Sequence, residues 1–160
     1  MIGFLEGIEH IGWVKAFGES GFWYGVATVA HYFDLFVLIG TAATFDMHLL
    51  GLVATDQRTP DFADEIFPWI WISMIITVLS GLILSLVDAG DYYTHPSMQY
   101  KIVLVFLAFL CTVTIRRSVY KWGRMQSLPA VAKLLAVISL VLWLGAILAG
   151  NDIAALCSLG

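Results

Sequence analysis

Four ionisable groups, His31, Asp34, Asp46 and His48, lie within an apolar stretch from Phe22 to Ala54 that is long enough to cross a bilayer. Each such group costs roughly 2.5–3.5 kcal/mol at the centre of a membrane helix, so its presence points to ligand, proton or ion chemistry. His31, Asp34, Leu38, Thr41, Phe45 and His48 step by three, four, three, four and three, the repeat of a left-handed bundle seam. This seam is expected to face other helices, because unpaired polar groups find no hydrogen-bond partner in hydrocarbon.

The chemistry that these residue types allow divides into two. A haem between membrane helices is commonly held by two imidazoles, one on each face of the macrocycle. His31 is the first candidate ligand, for haem or for a metal ion, with His95 or His10 as the second. Asp34, on an adjacent turn, is placed to orient the His31 imidazole or to pass a proton to it. The same pair could instead satisfy itself in the core, and His95 and His10 have ordinary readings as a loop residue and a solvated helix residue. His48 is about 17 residues from His31, or roughly 25 Å by helical rise, so the two cannot share one metal. His48 reads as an inner-interface residue, and Asp46 as a structural or relay carboxylate expected to pair with Arg116 or Arg117. Lys101 is the cation available to Asp34.

Elements that position these groups follow from composition. The 160 residues are 60% hydrophobic and 12% charged, with a mean hydropathy of +0.88, far from the soluble average of about 25% charged. An all-α integral membrane four-helix bundle is expected, in one domain over residues 1–160. An interfacial amphipathic helix over 3–18 would precede spans at about 22–54, 66–87, 97–120 and 130–150. Pro68, Pro96 and Pro129 lie near span starts, where a missing N–H is tolerated. Cys111 and Cys157 are too far apart in the layout to pair, and both read as small buried hydrophobes.

Of the eight basic residues, Arg58, Arg116, Arg117, Lys121, Arg124 and Lys133 fall at one end of the bundle and Lys15 and Lys101 at the other. The positive-inside rule then puts both termini on the periplasmic face of a bacterial inner membrane. The basic loop obeys that rule and gives no sign of a nucleic-acid partner. No phosphate-binding glycine loop, metalloprotease helix, zinc cysteine pair or nucleophile elbow is present. Ser73, Thr77, Ser80, Gly81 and Ser85 give the second span a small-residue face suited to close helix approach or a flat ligand.

Several motifs together resemble a poorly characterised group of small four-span bacterial membrane proteins. They are the amphipathic start from Phe4 to Ser20, the run Phe45-Asp46-Met47-His48-Leu49-Leu50-Gly51, the entry Pro96 to Lys101, and the run Ser139 to Gly145. The group is similar in layout to copper-resistance D-type and haem-binding helical bundles, and the resemblance carries over His31, Asp46 and Lys101. The expectation is a protein that binds haem b or a related redox cofactor in its outer half and exchanges electrons with a periplasmic redox protein or a quinone. Two other readings stand beside it: an accessory subunit among other membrane subunits in the lipid bilayer, and a copper or proton transport element using Asp34 and His31.

Overall fold

Capping residues divide the chain into helices much as its apolar runs suggest. Ser20 closes a short helix and opens the first long one, its hydroxyl accepting from the Trp23 amide in the usual role of an N-cap serine. The long helix stops at Gly51, whose φ of 79° is left-handed and favours glycine. Gly51 N–H donates to His48 O and Leu52 N–H to Met47 O, the pair of bonds that ends a helix in a Schellman motif.

The computed structural model describes residues 11–87, 89, 93, 95–125 and 127–157, the last seven for their backbone alone. Among them are five helices: α1 Gly12–Glu19, α2 Gly21–Leu50, α3 Thr59–Ser85, α4 Pro96–Trp122 and α5 Ala130–Cys157. The last four are long and apolar enough to cross a membrane, and the chain is an all-α multi-pass bundle. α1 is the described part of the expected interfacial helix; residues 1–10 lie outside the described region. Its Val14 is buried while Trp13 and Lys15 stay exposed.

The helices alternate in direction, with α2 packed on α3, α3 on α4, α4 on α5 and α5 back on α2. A shared layer of Leu38, Phe45, Phe67, Ile70, Ala108 and Ile115 fills the centre. Large apolar residues such as Phe33, Ile75, Phe106 and Val141 cover the outside and remain exposed, as a lipid-facing surface requires. α3 begins at Thr59, about two turns before Ile66, with Pro60 in its first turn and Pro68 in its interior. On α5 the inward stripe is Ala132, Ala136, Ser139, Trp143 and Ala146, all buried. Its small residues let α2 and α4 approach closely.

The α2 seam faces inward as its spacing requires. His31, Leu38, Phe45 and His48 are buried, and Asp34 and Thr41 are half-buried. Thr41 spends its hydroxyl on the carbonyls of Val37 and Leu38, and so contributes no polar contact to a neighbour.

Candidate functional site

Hydrogen bonding gives each of the three described histidines a different set of partners. His48 is 4% exposed. Its Nδ1 is 3.1 Å from Val53 O, which can only accept, so Nδ1 carries the proton. Nε2, 3.3 Å from Thr59 Oγ1, then accepts from that hydroxyl. The ring also packs against Phe62 with centroids 4.6 Å apart. Both nitrogens are occupied, and His48 ties the end of α2 to the start of α3. It is an internal clamp between two helices, buried where an inner-interface residue was expected.

His95 caps α4. The Ser97 amide donates to its Nδ1 at 3.3 Å, so Nδ1 holds the lone pair and the neutral ring presents an N–H at Nε2.

His31 has the opposite arrangement. It is 7% exposed, and its Nδ1 lies 2.8 Å from Ser80 Oγ. The Ser80 hydroxyl directs its one proton to the carbonyls of its own helix, at 2.7 Å from Ile76 O and 3.2 Å from Thr77 O. The serine oxygen therefore accepts from Nδ1–H, and Nε2 carries a lone pair with no partner among the described residues. Gly81 makes room for this ring, since a Cβ there would stand 3.1 Å from His31 Cε1.

Asp34 does not hold the imidazole as expected. One turn further along, its Oδ2 accepts from Thr77 Oγ1 at 2.6 Å. His31 and Asp34 thus meet Ser80 and Thr77 as two rungs between antiparallel helices, each side stepping by three. No ion pair joins Lys101 to Asp34 among the described residues. Lys101 instead lies across the bundle at α5, its Nζ 3.5 Å from where a Cβ on Gly150 would be, close enough to act on His31 electrostatically. A base, a carboxylate and an ammonium therefore occupy the outer third of the bundle, on two helices.

The carboxylate near the other end also departs from expectation. Asp46 does not pair with Arg116 or Arg117: Arg116 reaches Asp64 at 3.1 Å, beside Tyr120, whose hydroxyl donates to the same oxygen at 2.6 Å. The Arg116 guanidinium lies over the Phe67 and Tyr120 rings, 5.3 and 5.0 Å from their centroids. Asp46 is 2% exposed and turns towards α5, where it shares a small cavity with Ser139. The rotation explains the difference. Phe45 and His48 face α3, whereas Ala42, Asp46 and Leu49 form a second buried stripe about 100° around the helix.

For a haem, the donor set fits on one side only. His31 Nε2 has the lone pair and the Nδ1–H···O bond that metal-bound imidazoles usually have. His95 offers an N–H while it caps α4, and turning it into a ligand would give up a cap of about 1 kcal/mol. No group of three or more His, Cys, Asp or Glu that could hold a metal ion occurs among the described residues. His10, the other expected ligand, lies outside them. The partner hydroxyls Ser80 and Thr77 had a sequence signal: two hydroxyl residues three apart, at positions mirroring His31 and Asp34 about the α2–α3 turn.

Residues 6–155 match the family of unknown function DUF6644, and the chain belongs to that family. The match carries no link to copper-resistance D-type or haem-binding bundles. No curated protein and no solved structure matches the chain.

Proposed function

We propose that this member of the DUF6644 family is a membrane proton-transfer element whose working atom is His31 Nε2. The observation that carries the reading is the 2.8 Å contact of His31 Nδ1 with a Ser80 hydroxyl that lies 2.7 Å from Ile76 O; with the serine proton on that carbonyl, Nδ1 carries the imidazole proton and Nε2 is an unpartnered basic nitrogen among the described residues. Histidine is the side chain whose charge changes near neutral pH, so a free imidazole lone pair inside a membrane protein is suited to proton exchange. Asp34, held by Thr77 on the same helix face, supplies a second proton-accepting group one turn away. Lys101, on α4, places an ammonium at the same end of the bundle. On this reading the outer side is periplasmic, as the basic-residue asymmetry suggests, and the proton exchanges with that compartment.

The same nitrogen supports a second reading, the one expected from sequence. His31 would hold haem b, or another redox metal group, through Nε2, with Ser80 orienting the ring. The bound group would supply one-electron chemistry, and this chain's part would be to position it beside Asp34 and Lys101.

One preparation separates the two. The protein is purified with 15N-labelled histidine, placed in lipid vesicles and examined by visible absorption and ring-nitrogen NMR. The proton reading expects His31 to titrate reversibly with the external pH and not with the internal pH. A His31 ring that keeps one state across the pH range at which the protein stays folded overturns it. A Soret band present in the wild type and absent in His31→Ala establishes the haem reading instead.

A further inference from the structure

A different part of the bundle carries a second inference, which stands independently of His31. Asp46, Thr112 and Ser139 meet from α2, α4 and α5 around a small cavity of about 10 Å³ lined by buried residues, the space of roughly one water molecule. The rest of its wall is hydrocarbon, chiefly Phe45, Phe67, Ile70 and Ile115. Asp46 Oδ2 is buried and has no hydrogen-bond partner, although it belongs to the only carboxyl group lining the cavity.

The protons on the surrounding side chains are already assigned. Thr112 donates to Ala108 O at 2.9 Å. Ser139 is the hydroxyl that faces Asp46. Cys111, the titratable group on α4 near Asp46, donates its S–H to Leu135 O at 3.4 Å. From α3 the wall brings only Phe67 and Ile70, which have nothing to donate; Arg116 reaches Asp64 through Nη2, and its buried, unpartnered Nη1 belongs to a residue that does not line the cavity. The cavity is therefore lined by lone pairs, and no cation lies within 4 Å of the carboxyl among the described residues. An ionised carboxylate in such a place is uncompensated, and buried charges of this kind are tolerated only when paired or neutralised.

We propose that Asp46 is the centre of an internal proton site: its carboxyl holds a proton on Oδ2, and the O–H donates to a single water trapped between Asp46, Thr112 and Ser139. The water in turn finds lone pairs to donate to, so each group is satisfied. A bare metal cation fits this cavity less well, because hard cations gather six or more oxygens and the wall offers side-chain oxygens from three residues. The site lies about 18 Å along α2 from Asp34 by helical rise. Between them Leu38 and Ala42 are buried, so the two centres are separated by a dry layer.

Infrared difference spectroscopy of the full-length protein in lipid tests this proposal. The wild type at neutral pH in sodium-free buffer is expected to show a protonated-carboxyl C=O band that shifts when aspartate is 13C-labelled at the side chain. Asp46→Asn should remove that band entirely, and Asp34→Asn should leave it in place. Deuteration should shift it slowly, since Asp46 is buried. Absence of a labelled-aspartate band in the wild type overturns the proposal without reliance on any variant. A band that survives Asp46→Asn overturns it, and so does one that disappears on adding sodium chloride at constant pH, which would make the occupant a sodium ion. Because the readout concerns Asp46 alone, failure of the His31 reading leaves it unchanged.

Discussion

Replacing Ser80 with alanine is the most direct perturbation of the His31 ring state. The Ser80 oxygen is the acceptor for Nδ1–H at 2.8 Å, and alanine removes that acceptor while leaving the helix and Gly81 in place. Serine also bonds back to Ile76 O, an interaction that the helix does not need, so α3 itself should be little affected. A hydrogen bond of this kind contributes about 0.5–1.5 kcal/mol net, and each 1.4 kcal/mol is tenfold in an equilibrium constant. The Nδ1–H to Nε2–H ratio of neutral His31 should therefore fall by roughly two- to tenfold in Ser80→Ala. Ring-nitrogen NMR on the labelled protein in lipid reads that ratio directly, with His48 as internal control because both of its nitrogens are occupied. A wild-type His31 protonated on Nε2, or an unchanged ratio in Ser80→Ala, would refute the reasoning and with it the case for a free basic nitrogen.

The other expected outcomes concern stability and orientation. Thr77→Val removes the 2.6 Å donor to Asp34 and should cost about 1–3 kcal/mol, measured by unfolding in detergent, with much of the loss recovered when Asp34 is also made apolar. His48→Ala removes two hydrogen bonds and a ring packed against Phe62, and should destabilise by about 2–4 kcal/mol in the same assay. His31→Ala, which loses a single hydrogen bond, should cost less than His48→Ala, and the reverse order would count against the clamp role. Cysteine substitutions at the exposed residues Ser127 and Glu19 should be labelled from the cytoplasmic and periplasmic sides, respectively. Labelling from the opposite sides would invert the bundle.

The parts of this architecture that were legible in the sequence are those set by a period. The three-four repeat from His31 to His48 required one buried stripe on α2, and hydropathy required four apolar helices, because neither depends on which helices become neighbours. The partners of the polar residues depend on rotation and register, which no single helix encodes. Asp46 shows this most clearly. Its position near one end of α2, at the same end as Arg116 and Arg117, made an ion pair reasonable, yet Asp46 is one residue from Phe45 and so faces a different neighbour. Register is fixed between Gly51 and Thr59, where the left-handed Gly51, Ala54 at φ 47° and the two bonds of His48 close the α2–α3 turn. Given that closure, His31 has to meet Ser80 and Asp34 has to meet Thr77. His48, at first sight one more candidate for the chemistry, thus has its effect at a distance: by closing the turn at one end it sets the register that leaves His31 with a free nitrogen at the other.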